Sequence, residues 1–147
     1  MTQPSSNSSS EAQPLRVALA GLGTVGTGVV RLIEENRDLI ARRAGRPIEI
    51  VAVSARERNR DRGIDLSGYR WCDDMAAFAE DDDVDVVCEL VGGSDGPALA
   101  LARAALGEGK ALVTANKALI AHHGLELAQI AEKSDAPMLF EAAVAGA

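Results

Sequence analysis

The chain has 147 residues, enough for one domain, and its 47% apolar and 25% charged residues are those of an ordinary globular protein. With only 3% aromatics, the core must be built from Val, Ile, Leu and Ala. A net charge of −7 and the lack of any basic stripe exclude a general nucleic-acid binder, and no apolar run approaches the roughly 20 residues of a membrane span.

Residues 1–14 are dominated by Ser, Asn, Gln and Pro and read as a disordered tail. They lack the charged start and apolar centre of a secretory signal. Cys72 and Cys88 form neither a CxxC pair nor a disulfide framework, Cys88 falls in an apolar run that would bury it, and a reducing cytoplasm is expected. Leu15 to Ala20 is the first strand. A helix is predicted from about Thr24 to Arg43, with Val25, Val29, Leu32 and Ile40 at helical spacing and Asn36 as the exception; Gly45 and Pro47 stop it. Ile48 to Val53 is the second strand, followed by a polar loop from Ser54 to Trp71. Asp73 or Asp74 caps a short helix running through Phe78 and Glu80, and Asp81-Asp82-Asp83 reads as a solvated turn. Val84 to Val91 is the third strand. A helix from Pro97 to about Leu106, a fourth strand at Ala111 to Thr114, a helix from Asn116 to Lys133 that Gly124 could interrupt, and a fifth strand starting at Met138 complete the series. Near-continuous apolar strands alternating with helices give an α/β fold, a Rossmann-type doubly wound parallel sheet.

Gly21-Leu22-Gly23-Thr24-Val25-Gly26 is a GxGxxG between the first strand and the first helix. In that context Gly21 permits the turn, Gly23 lets a pyrophosphate approach the backbone, Gly26 lets helix and strand pack closely, and the helix N-terminus attracts the phosphates. The end of the second strand separates the two nicotinamide coenzymes. An acid there would bind a ribose 2′-hydroxyl and an arginine a 2′-phosphate; the sequence offers Ser54 and Arg56, with Arg58 beyond and Glu57 as the nearest acid, which favours NADP over NAD. Gly92, Gly93 and Ser94, after the third strand, are expected to border the nicotinamide. Asn116 and Lys117 end the fourth strand at the same edge, Asn116 being equally well explained as a helix cap. His122 and His123 are adjacent and cannot face one site on a helix, so they are read as surface positions and not as metal ligands.

These segments together resemble homoserine dehydrogenase: the GLGTVG turn, Val53-Ser54-Ala55-Arg56, Glu89-Leu90-Val91-Gly92-Gly93, the stretch Val113 to Ala121 with its Thr114-Ala115-Asn116-Lys117, and Phe140-Glu141-Ala142-Ala143-Val144-Ala145-Gly146. The resemblance runs from Leu15 to the last residue. It implies interconversion of aspartate 4-semialdehyde and homoserine in threonine and methionine biosynthesis. It implies that Lys117 contacts the coenzyme near the reacting carbon, and that Glu141, Val144 and Gly146 help to hold a monovalent cation such as sodium. The family continues past the position of Ala147 into a substrate and dimerisation domain. The expectation is therefore a coenzyme-binding domain over residues 15–141, with 142–147 opening a domain that is not here. Such a chain would bind coenzyme without turnover, and a homodimer is expected only of the full-length protein. The competing readings are a different Rossmann oxidoreductase acting on an amino-acid-derived carbonyl, and a nucleotide-binding module that never turns over.

Overall fold

The structure is a computed structural model and describes residues 13–140. Six strands form one sheet: β1 (Leu15–Ala20), β2 (Ile48–Ser54), β3 (Arg70–Trp71), β4 (Val86–Glu89), β5 (Ala111–Thr114) and β6 (Met138–Phe140). Every pairing is parallel and the order is β3-β2-β1-β4-β5-β6, the dinucleotide-binding arrangement in which the chain reverses its direction of travel across the sheet between β1 and β4. The helices are α1 (Thr24–Glu35), α2 (Arg37–Ala44), α3 (Pro97–Gly107) and α4 (Lys117–Ser134).

Side-chain alternation along the central strands divides the core in two. Val17 and Leu19 of β1 join Ile50 and Val53 of β2 against Leu22 and Val30, beneath α1. Ala18, Ala20 and Ala52 point to the other face, where Leu101, Ala102, Ala105 and Leu106 of α3 and Leu119 and Leu127 of α4 cover them with Phe78. Alanines on both sides of that contact let α3 lie close to the sheet, which is how a chain with few aromatics fills its interior.

Several elements differ from the sequence expectation. The single helix over residues 24–43 is two helices. Asn36 (φ −123°, ψ 28°) breaks it, and its Nδ2 donates to the Leu32 carbonyl at 2.9 Å, a side-chain bond that competes with the backbone ladder. The polar loop ends in an edge strand, β3, paired to Ala52 and Val53. The short helix is a 3-10 turn, Met75–Glu80, capped by Asp74, whose Oδ1 accepts from the Ala76 N–H at 3.1 Å. The strand expected over 84–91 is cut to 86–89: at its end the Glu89 carboxylate captures the Val91 and Gly92 N–H groups, and at its start the Val84 N–H is held in a turn by the Asp81 carbonyl at 3.1 Å. Gly124 does not interrupt α4. The acidic turn is also more than solvated: Asp81 pairs with Arg70, and Asp83 lies 3.6 Å from Arg16 and 3.7 Å from Arg70. Arg16 also grips Asp85 through Nε and Nη2 (3.1 and 3.0 Å), joining β1 to the lead-in of β4 at the sheet edge opposite the glycine turn.

Among the described residues no helix is long and apolar enough to cross a membrane, and no group of three or more His, Cys, Asp or Glu could hold a metal ion. Glu141, Val144 and Gly146, the expected cation ligands, lie outside the described residues.

Candidate functional site

The glycine turn sits at the switch point, between the ends of β2 and β4. The Gly21 N–H donates to the Ser54 carbonyl and the Leu90 N–H to the Ala20 carbonyl, both at 2.8 Å. Gly21 has φ +108°, and a Cβ there would stand 2.7 Å from the Leu90 carbonyl oxygen, so the turn tolerates no side chain. A Cβ at Gly26 would overlap the Gly21 carbonyl, which fixes how closely α1 approaches β1. Gly23 is different. Its φ of −79° suits any residue, and a Cβ would meet nothing within 4 Å. Folding gives no reason for glycine here, whereas a ligand pressed against the backbone does. Gly23 is also the N-cap of α1 and offers no side-chain cap, so the N–H groups of Thr24, Val25 and Gly26 open the helix without intrahelical partners. Three free donors, a positive helix end and a missing side chain are what a phosphate group would need there. The residues present fit a dinucleotide diphosphate.

On the β2 side, a cleft of about 500 Å³ is bounded by Gly21 and Gly23, Arg56, Arg60 and Arg62, with Pro97 across from them. A second, of about 340 Å³, lies over Thr24 and Thr27 and is again walled by Arg60 and Arg62. Arg56 is exposed at the end of β2, but Ser54 is 1% exposed and faces the interior, so the two do not share a surface. Glu57, the acid that could serve a ribose hydroxyl, adopts φ +54° and stands 3.9 Å from Arg60. Arg60 and Arg62 were not singled out from the sequence. Their signal was the alternation Arg56, Arg58, Arg60, Arg62, and what places them is tertiary: Arg58 and Arg62 lie over the Trp71 ring at 5.9 and 5.7 Å, and Arg62 donates to the Arg56 carbonyl at 2.5 Å.

On the β4 side, a cleft of about 200 Å³ is lined by Val25, Leu90, Val91, Gly92, Ala115 and Asn116, with Glu89 in its wall. Gly92 and Gly93 both take positive φ, 91° and 84°. Asn116 caps α4, its Oδ1 accepting from the Leu119 N–H at 3.0 Å, and its Nδ2 donates to the Gly93 carbonyl at 2.6 Å. One amide thus joins the turns after β4 and β5. Beneath them lies Glu89, 0% exposed, which the sequence reading left inside its strand. Its Oε2 accepts from the Val91 and Gly92 N–H groups (2.9 and 3.1 Å) and its Oε1 from the Thr114 hydroxyl (2.5 Å). Ser94 is half-buried and Lys117 exposed at the first position of α4. A cation at a helix N-terminus opposes the helix dipole, which marks Lys117 as a residue placed against local electrostatics. His123 bonds Asp95 at 2.9 Å, tying the turn before α3 to α4 and holding the Asp95 carboxyl below its usual range. Cys88 on β4 is enclosed enough that burial pushes its thiol up to about 11.

A larger cleft, about 750 Å³, lies between α1 and residues 63–69, where Tyr69 donates to Glu34 at 2.5 Å. It is away from the carboxyl ends of the strands, where ligands of open parallel sheets bind, so size does not mark the site here.

Comparison with known proteins agrees with this geometry. Residues 21–141 match the family profile described as "Homoserine dehydrogenase, NAD binding domain". The chain is 44% identical over 131 residues to the homoserine dehydrogenase of Corynebacterium glutamicum, a match covering 89% of this chain and 29% of that protein. Among solved structures, a homoserine dehydrogenase from Thiobacillus denitrificans superposes with a TM-score of 0.82 at 35% identity, covering 90% of this chain and 30% of the other. That of S. aureus gives 0.80 at 38% identity, covering 88% and 33%. The chain therefore spans about a third of the length of the relatives it matches.

Proposed function

This chain belongs to the homoserine dehydrogenase family through its NAD-binding domain, and from that premise we propose that it is the coenzyme-holding part of an NADP-dependent enzyme that interconverts L-aspartate 4-semialdehyde and L-homoserine. The observation that carries the reading is the open Cβ position of Gly23 above the uncapped start of α1.

In this reading the backbone from Gly21 to Gly26, with Leu22, Thr24 and Val25, binds the diphosphate. Arg56, helped by Arg60 and Arg62, receives the 2′-phosphate; three guanidinium groups against the single carboxylate of Glu57 around one cleft suit a dianion better than a neutral hydroxyl. Ser54 supports the turn from below through its carbonyl. Gly92, Gly93, Ser94 and Asn116 border the nicotinamide, and the Asn116 bridge keeps their backbone at a fixed distance from α4. When bound, the coenzyme supplies or accepts the hydride. Lys117 places an ammonium at the same edge, where it can contact coenzyme and stabilise negative charge developing on a carbonyl oxygen.

The substrate of the whole enzyme is a small amino-acid-derived carbonyl, its setting threonine and methionine biosynthesis in the cytoplasm, and its assembly a homodimer. Residues 15–141 form the coenzyme domain, and proton transfer belongs to parts of the enzyme beyond this chain. The purified chain should therefore bind NADPH more tightly than NADH, read by the change in dihydronicotinamide fluorescence, and should reduce no aspartate semialdehyde. Absence of dinucleotide binding overturns the coenzyme reading; turnover overturns the division of labour.

A further inference from the structure

We infer that Glu89 sets the preference of this site for the oxidised over the reduced coenzyme, by fixing a negative charge beside the position of the nicotinamide ring. The inference deepens the coenzyme reading above and rests on it.

Glu89 is the only charged side chain fully buried among the described residues, and no described basic group pairs with it. Its partners are neutral donors: the Val91 and Gly92 N–H groups, the Thr114 hydroxyl and, at 3.5 Å, the Asn116 amide. The Thr114 hydroxyl oxygen itself accepts from the Asn116 N–H at 3.0 Å, which leaves its proton for Glu89. Donors on both oxygens suit an ionised carboxylate.

Folding alone does not require that charge. A glutamine of the same shape would keep the bonds from Val91 and Gly92 through its oxygen and give up only the acceptor of the Thr114 proton, without the cost of burying an ion. The charge stands in the wall of the cleft on the β4 side of the diphosphate cradle. An arginine-lined cleft takes the adenosine end, so this one takes the nicotinamide. That ring is cationic when oxidised and neutral when reduced, and a fixed anion beside it favours the oxidised form. Lys117 and the start of α4 act in the opposite sense. Lys117, however, is exposed and screened by water, whereas Glu89 acts through a low-dielectric interior, where the same charge reaches several times further in energy.

The test compares NADP+ (by calorimetry) and NADPH (by fluorescence) on the purified chain and on Glu89→Gln. The variant should bind NADP+ about three- to tenfold more weakly while NADPH moves by less than about twofold. Equal weakening of both would reduce Glu89 to a clamp between two turns and overturn the inference, as would an unchanged ratio. Glu89→Asp reads the same point should the glutamine variant melt at the assay temperature. It keeps the charge, so both coenzymes can weaken but their ratio must stay, and a collapsed ratio overturns the inference. A wild-type chain that binds neither coenzyme overturns the dinucleotide reading itself and this inference with it.

Discussion

Gly23→Ala separates a glycine kept for a ligand from one kept for packing. The backbone at Gly23 (φ −79°, ψ −154°) lies where alanine is unstrained, and its Cβ would meet no atom within 4 Å. The methyl group removes unfolded-state freedom, worth about 0.4–1 kcal/mol in favour of folding, while alanine is a poorer N-cap than glycine by a similar amount. Stability should therefore stay within about 1 kcal/mol of wild type, a shift in Tm of no more than roughly 5 °C. Binding should not be spared. The same methyl stands over the three free N–H groups of α1, and losing one charge-assisted bond to phosphate costs about 1.5–3 kcal/mol, or tenfold to over a hundredfold in NADPH affinity. Gly26→Ala is the contrasting case. Its Cβ would fall on the Gly21 carbonyl, which is backbone and cannot swing away, so the helix must shift at a cost of about 1–3 kcal/mol. Thermal melting and NADPH fluorescence titration on both variants read the two quantities. A Gly23→Ala chain that binds NADPH as wild type does, or that loses as much stability as Gly26→Ala, refutes the assignment of Gly23 to the phosphate.

If the arginine-lined cleft takes the 2′-phosphate as proposed, Arg60→Ala and Arg56→Ala should each weaken NADPH about tenfold and leave NADH nearly unchanged; equal loss for both coenzymes would refute that assignment. The Arg16 guanidinium holds the Asp85 carboxyl below the usual carboxylate range. A depressed folded pKa adds stability that is complete above the unfolded value of about 4 and is lost as pH falls through the folded one. Both side chains are about a third exposed (38% and 33%), so screening limits the pair to about 1 kcal/mol. Asp85→Asn should cost that much at pH 7 by urea denaturation and progressively less as the pH falls below about 4, and a constant difference across the range would refute the ionic account. Because burial raises the Cys88 thiol to about 11, Cys88 should react with a disulfide reagent at pH 8 at least about tenfold more slowly in the folded chain than in urea; equal rates would mean that β4 is open to solvent.

What the sequence reveals about this fold depends on whether the deciding interaction is local. β1 is legible because Val17 and Leu19 alternate with Ala18 and Ala20, a period that serves one sheet with two covered faces, and β2 because Ile50 to Val53 is an unbroken apolar run, although its irregular register against Val17 and Ala18 puts Ile50 and Ala52 on opposite faces. β3 is not. Two residues carry no period, and Arg70 and Trp71 become a strand only because Ala52 and Val53 offer an edge to pair with. The break at Asn36 lies between. The residue stands out of the apolar pattern, but only its amide bonding to the Leu32 carbonyl shows that it ends one helix and starts another.

The same distinction runs through the site. The glycine turn is readable because its requirements, a left-handed turn at Gly21 and a close approach at Gly26, belong to six consecutive residues. The arginine-lined cleft is not so confined. Arg56 follows from its place after β2, yet Arg60 and Arg62 reach the glycine turn only because their loop folds back onto Trp71, a contact across nine residues or more. Glu89 is the extreme case. Apart from opening a segment that carries the family resemblance, its sequence signal is an acid at the end of the apolar run Val86-Val87-Cys88, which a strand assignment absorbs. Its meaning depends on Thr114 and Asn116, residues brought beside it by the parallel pairing of β4 with β5. Parallel neighbours are joined by long crossovers, so a site built from the ends of adjacent parallel strands draws on residues tens of positions apart. In this fold the phosphate cradle is local and its chemistry can be read along the chain. The cleft on the β4 side is assembled from two turns, and the buried charge in its wall becomes visible only when those turns are placed side by side.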